Sequence, residues 1–475
     1  MGRKQEWRGA HHWVSGLAVA AALVAGSAQA TTLADALIGA YSHSGLIDQN
    51  RALLRAADED VAIAGATLKP IINWTGDITR QLGDSSSSQT GGISNSIAQT
   101  SVSLAITATL QLFDGGADRS RIEATKETVL ATRSALLNVE QLVLLRAATA
   151  YFNVIRQQEF VALSQNNLRL LQQEFRAAQD RFDVGEVTRT DVSLAEAAVA
   201  QARSNLAAAE RDLIQAQAEF TNVVGRAPGR LTGLPRLPQV ETSIPRAQSV
   251  AVRTHPDLIQ AQRQVAASDL LAVAAGQDMN PTVSVDGSLS VNEEFSSSDS
   301  SAVGQFGLSV SGPIYRGGQL FAAERQAFAN RDAARGNLHT VRHDVQQDVV
   351  DAIANLEAAR ASLAASERQI RAARVAFQGV REEATLGART TLDVLDAEQD
   401  LLDAATNRIS AQADQYIAAY SVLESMGLLT AERLRLPVQL YDPTTYYNLV
   451  KDGPAKLSEQ GRQLDRIIRT LTPED

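Results

Sequence analysis

The sequence predicts an α+β membrane protein built from two copies of one strand–strand–long-helical-hairpin unit, on three observations. Paired motifs recur at a constant offset of 202 residues. Runs free of proline and glycine are long enough for helices on the order of 100 Å. Four stretches of about ten residues alternate apolar and polar side chains, as half-buried strands do.

The offset is read from separated points. Phe113-Asp114-Gly115-Gly116 is matched by Tyr315-Arg316-Gly317-Gly318, each pair of glycines turning a strand into a helix. Gly185 precedes Asp191-Val192 as Gly387 precedes Asp393-Val394. Ala195-Glu196 matches Ala397-Glu398, and Gly225 matches Gly427. The first repeat is placed at residues 31–240, with a helix, strands near 71–82 and 97–112, and a helical hairpin over 117–225. The second is placed at 241–435, with a helix, strands near 281–291 and 303–314, and a hairpin over 319–427.

The helices follow from composition and period. Ala117 to Val184 holds neither proline nor glycine and is rich in Ala, Gln, Arg, Glu and Leu. Val154, Val161, Leu168 and Phe175 recur every seven residues, and so do Leu356, Leu363, Ile370 and Phe377. A seven-residue apolar row is a coiled-coil seam. Leu130, Leu137, Leu144 and Tyr151 form an earlier row, so the seam shifts along the helix. Gly185 and Gly387 end these helices as C-terminal glycines do. Shorter helices are expected over Leu33–Leu68, broken near Gly45, and over Pro256–Gln277.

The strands show period two. Ile72, Trp74 and Ile78 alternate with Asn73, Thr75, Asp77 and Thr79, and Val102, Leu104 and Ile106 alternate with Ser103 and Thr107. Val283, Val285 and Leu289 alternate with Ser284, Asp286 and Ser288, and Phe306, Leu308 and Val310 with Gln305 and Ser309. The connections Gly83–Asn95 and Asn292–Ala302 are polar and read as loop tips. About ten residues is the length of a tilted membrane strand. Four strands cannot close a spanning barrel, which needs about eight, so several protomers must share one.

The ends and the charge narrow the compartment. Arg3, Lys4 and Arg8, an apolar run over Val14–Gly26 and Ala28-Gln29-Ala30 read as a secretory signal peptide over residues 1–30. Removing it takes away three basic residues and one acidic one, leaving 41 basic and 53 acidic residues and a net charge of −12. Such a chain is a poor nucleic-acid binder. There is no cysteine, hence no disulfide and no lipidated N-terminal Cys. No further apolar run approaches the length of a membrane helix. Residues 436–475 are expected to form a polar tail, a strap near Tyr441–Tyr447 and then disordered chain.

The order of elements, the duplication and the segment Gly387-Ala388-Arg389-Thr390-Thr391-Leu392-Asp393-Val394-Leu395-Asp396-Ala397 resemble the TolC family of outer-membrane efflux proteins. The resemblance implies a homotrimer in the outer membrane, with one 12-stranded barrel continued by a periplasmic α-helical tunnel. It implies a periplasmic adaptor (membrane-fusion) protein and an inner-membrane transporter of ABC or RND type as partners. The function it implies is an exit duct for proteins, by type I secretion, or for small toxic molecules. It further implies a constriction at the tunnel tip, at the positions of Thr190, Asp191, Arg389, Asp393 and Asp396. Three-fold symmetry makes rings of Asp393 and Asp396, which attract cations and raise carboxylate pKa values. Arg389 is placed to hold a neighbouring helix by a bidentate carboxylate contact. Ala384 stands where the family pattern expects Tyr.

Simpler readings stand beside these. Asp191 and Asp393 follow a Gly turn, where helix capping alone explains an acid. Asp396 fits a solvated coiled-coil face, Arg389 an ordinary turn, and Trp74 either an aromatic girdle or plain packing. His339 and His343 have i, i+4 spacing but no HExxH context. No enzyme, metal or cofactor constellation is read from the sequence. The alternative function is a coiled-coil structural or adhesin-like surface protein, which has no need of four strands with one lipid-compatible face.

Overall fold

The computed structural model describes residues 31–86, 94–295, 300–456 and 458–471. The expected signal peptide over residues 1–30 and the tips of the two expected polar loops lie outside them. The first copy comprises α1 (Leu33–His43), α2 (Gly45–Ala66), β1 (Ile71–Ser86), β2 (Ser94–Phe113), α3 (Ala117–Asp183) and α4 (Arg189–Val224). The second comprises α5 (Ile244–Thr254), α6 (Pro256–Gln277), β3 (Thr282–Glu294), β4 (Ser300–Ser311), α7 (Gln319–Thr385) and α8 (Thr391–Ser425). Helices α9 (Pro443–Val450) and α10 (Glu459–Leu471) follow.

The strands form one antiparallel meander in the order β1-β2-β3-β4. Register aligns like with like. Trp74 lies opposite Ile106, which lies opposite Leu289; one position along, Asn73, Thr107, Ser288 and Gln305 share a row. Directly opposed residues share a face, so one face is a continuous apolar band and the other is polar. The apolar face is bare: Trp74 is 75% exposed and Phe306 83%. Strands β1 and β2 extend past the expected 71–82 and 97–112, pairing Gly83–Ser86 with Ser94–Ile97. Polar composition predicts loop there, but ladder bonds are made by the backbone and do not require apolar side chains. Strand β4 stops at Ser311, short of the expected 314, because Gly312-Pro313 removes a donor.

The turns into the long helices rest on glycine. Gly115 and Gly116 have φ of 70° and 93°, and Gly317 and Gly318 of 60° and 82°, a region closed to most side chains. Helices α3 and α7 are each 67 residues long, and α4 and α8 are 36 and 35. Of the seven-residue rows, Val154, Leu356 and Phe377 are buried, while Leu137 is exposed. The main core lies where α1, α3, α4 and α8 meet, around Leu144, Tyr151, Phe152, Phe220 and Leu429. The Phe152 ring packs on Tyr416 at 4.9 Å. One window of α3 is apolar enough to cross a bilayer by composition. Its helix supplies this core, which accounts for the apolarity.

The short helices reveal how the copies join. Helix α2 lies on α3, with Arg133 4.0 Å from Asp58; α6 lies on α7, with Arg335 2.8 Å from Asp269. The arginines differ by 202 residues and the aspartates by 211, because the first β-hairpin segment is nine residues longer. Helix α6 also lies on α3. Arg121 donates twice to Asp278 (2.6 and 2.5 Å), Arg263 meets Glu127 at 3.1 Å and Asn138 donates to Asp257 at 2.7 Å. The matching flank of α7 has no such cover, and Phe321 is 57% exposed.

The tail departs from expectation. The strap is α9, where Tyr446 donates to Glu59 (2.8 Å) and Arg133 and Arg51 stack on Tyr447 and Tyr441. The segment expected to be disordered carries α10. Leu464, Ile467, Ile468 and Leu471 have helical spacing, so an amphipathic turn-by-turn pattern overrides the polar composition.

Candidate gate at the hairpin tips

Each hairpin turns by one local design. Gly185 (φ 81°) and Gly387 (φ 75°) end the long helices in the left-handed region. The next helix then opens on a capping box. In the first hairpin, the Thr188 hydroxyl and backbone N–H donate to Asp191 Oδ2 at 2.6 and 2.9 Å, and Asp191 N–H returns a bond to Thr188 Oγ1 at 3.3 Å. In the second, Thr390 and Asp393 repeat the pattern at 2.8, 2.9 and 3.2 Å. Capping is therefore what Asp191 and Asp393 do within one chain.

These bonds set the charge. The Thr390 backbone N–H, then its hydroxyl and the Arg389 charge, hold the Asp393 carboxyl below the usual range; the Thr188 hydroxyl and backbone do so for Asp191. The expected upward shift from like-charge rings has no counterpart inside a single protomer, because the caps dominate. Asp396 lies one turn further along α8, exposed and outside the cap. Thr190 is exposed in the first turn of α4.

Arg389 differs from expectation. Its Nε donates to Glu383 Oε2 at 2.9 Å, a single bond across its own turn rather than a bidentate grip on a neighbouring helix. The turn folds back on the end of α7, which puts Glu383 nearest. Ala384 is buried beside Phe377 and Val394, so apolar packing fills the position where Tyr was expected.

Two features were missed from sequence. Arg381 on α7 meets Glu174 on α3 at 3.2 Å, the ion pair that ties the two hairpins together near their tips. Glu398 on α8 is buried against the first hairpin. Neither has a local motif, since both depend on which helices lie side by side. Among the described residues no cluster of three His or acidic side chains is arranged to hold a metal. The geometry places a set of charged side chains at the end of the long helices.

Known proteins share this architecture. The sequence pattern described as outer membrane efflux protein matches residues 40–226 and 248–428, one block per copy. The outer membrane efflux protein BepC of Brucella suis is 34% identical over 444 residues, covering 92% of this chain and 95% of BepC. The outer membrane protein TolC of Salmonella enteritidis is 26% identical over 399 residues, covering 80% and 79%. The crystal structure of the Campylobacter jejuni CmeC outer membrane channel superposes with a TM-score of 0.75 at 16% identity, covering 92% and 90%. With both copies matched and a relative aligned nearly end to end, the chain belongs to the outer membrane efflux protein family.

Proposed function

We propose that three copies of this outer-membrane export duct close one 12-stranded barrel and one helical tunnel, each chain repeating between neighbours the joint it already contains. The observation that carries this is the joint between the two copies. Inside the chain, β2 pairs β3 and α6 covers α3. Advancing that joint by one copy pairs β4 with β1 of the next chain and lays its α2 on the bare flank of α7. The α2 positions that match the α3-facing side of α6 are exposed, Leu46 among them. Two open sheet edges and an apolar band in lipid are then satisfied together. A coiled-coil adhesin leaves that band without a purpose.

The joint has a register. Ile106 faces Leu289 and Thr107 faces Ser288; moved by 202 and 211 residues, Leu308 faces Ile78 and Ser309 faces Asp77 of the next chain. The chain has no cysteine, so an Asp77→Cys, Ser309→Cys double variant is a clean test. Oxidation is expected to give covalently linked dimers and trimers from the outer-membrane fraction, and each single variant none. A heat-modifiable trimer that never cross-links rejects this joint; a soluble monomer rejects the duct.

At the tips, three-fold closure gathers Asp393, Asp396, Asp191, Thr190 and Arg389 into the constriction. The resulting negative field favours cations and binds multivalent ones. Asp396→Ala leaves the cap intact and is expected to weaken block by multivalent cations in single-channel recordings. Unchanged block removes Asp396 from the pore lining. Val184 and Leu386, equivalent turn residues, are 72% and 84% exposed. An apolar side chain so placed on each hairpin suits docking of a periplasmic adaptor, which links the duct to an ABC or RND-type inner-membrane transporter. The cargo is then set by that transporter, whether a type I secreted protein or a small toxic molecule.

A further inference from the structure

Glu398 is 4% exposed, and neither of its carboxylate oxygens has a hydrogen-bond partner. Asn167 Oδ1, also buried, is likewise unpartnered. Both side chains line one cavity of about 70 Å³ between α3, α4 and α8, with Leu171, Ala202 and Leu395. The remaining polar lining, Gln201 and Asn205 of α4 and Gln399 of α8, is uncharged. Two charges reach the carboxylate from the other elements: Glu174 on α3 and Arg381 on α7. These two pair with each other at 3.2 Å, so Arg381 is already engaged. A carboxylate in such a place is costly when ionised. Burial first, then the Glu174 charge, push its pKa up to about 7 against the opposing pull of Arg381.

The repeat isolates the feature. The equivalent residue of the first copy, Glu196, is exposed. Within one chain the acid is therefore buried only where the second hairpin is seated on the first, while Glu196 lies on the side that the proposed joint turns toward a neighbouring chain.

We propose that Glu398 is a proton-operated latch between the two hairpins of one chain: protonated, it lets α8 seat against α3 and α4, and ionised, it drives them apart at the tip. The consequence for export rests on the reading of the tip as a gate; the latch itself does not. The sign follows from the raised pKa of the seated state. Seating is unopposed below the ordinary glutamate range and is opposed increasingly until the carboxyl is fully ionised above about 7. Across that range the seated-to-unseated ratio falls on the order of a hundredfold.

The test uses the full-length trimer with spin labels at Val184→Cys and Leu386→Cys, diluted with unlabelled chains so that one pair is read per trimer. Pulsed electron resonance gives the tip-to-tip distance from pH 5 to pH 8.5, and bilayer conductance is recorded in parallel. The distance is expected to lengthen through a midpoint near 7, to stay short at every pH in the isosteric Glu398→Gln variant, and to lose its pH response in Glu398→Ala. A distance independent of pH, or a shift that survives Glu398→Gln, overturns the latch. A distance that responds while conductance does not keeps the latch and rejects the gate.

Discussion

Helices α3 and α7 have the same length, the same glycine entry and the same turn at the far end. Their surroundings differ. Nineteen residues of α3 are buried and eight of α7, none of these before Val345. Helix α3 carries α1 and α2 of its own copy and α6 of the other, whereas α7 carries only its own copy's α5 and α6 among the described residues. Two copies of one unit in a single chain can satisfy only one of them fully. The other keeps an exposed face, which on the proposed joint is the surface that a neighbouring chain covers.

That comparison is sharpest at two phenylalanines. Phe152 of α3 is fully buried among Tyr151, Tyr416 and Tyr420. Phe152→Ala is expected to cost about 3–5 kcal/mol of fold stability, read as a lowered melting temperature in detergent. Phe328 of α7 is 38% exposed and carries Arg331 on its ring at 4.9 Å. Phe328→Ala is expected to leave the fold within about 0.5 kcal/mol while lowering the temperature at which unboiled trimer dissociates. Equal effects on both measurements would erase the distinction between the two helices.

The equivalent ion pairs give a smaller test. Asp58 is fully buried with neither oxygen hydrogen-bonded, and burial raises its pKa to about 6 despite Arg133. A carboxyl raised in the folded state binds more protons there, so its cost is absent below the ordinary aspartate range and complete above about 6. Asp58→Asn is expected to melt higher than the unsubstituted protein by an amount that grows between about pH 4 and pH 6. The gain is on the order of 1 kcal/mol, the Arg133 attraction being already contained in the raised value. A gain already present at pH 4 would place its origin outside titration.

The smallest effects lie at the tips, where the copies are alike. Thr188→Ala and Thr390→Ala each remove a capping box and are expected to cost about 1 kcal/mol locally, seen as faster amide exchange in the first turns of α4 and α8. Unequal costs would mean that one tip is held by something beyond its cap.

Much of this was legible. A constant offset gave the duplication, period two the sheet faces, and a heptad row the hairpins. The capping boxes have a local signature, Thr188-x-x-Asp191 and Thr390-x-x-Asp393, and in the first hairpin the cap is Thr188, with Thr190 inside the first turn. The Arg133–Asp58 and Arg335–Asp269 correspondence was hidden by the longer first β-hairpin, which changes the offset from 202 to 211 upstream of the long helices. Glu398 and the Arg381–Glu174 pair were illegible for a different reason. Glu196 and Glu398 sit in similar local sequence, and within one chain only the seating of one hairpin on the other separates an exposed acid from a buried one.

The proposed joint bears on how a three-chain ring would come together. A chain that carries one joint inside itself presents one half-joint at each end. Two chains in line still expose both ends, so a pair satisfies half of its potential contacts. When the third chain arrives, the last joint closes within a single body, at the high effective concentration of a tethered partner. That final contact costs no further loss of free translation. Intermediates are therefore expected to be scarce, with unassembled chains and complete rings as the species that persist.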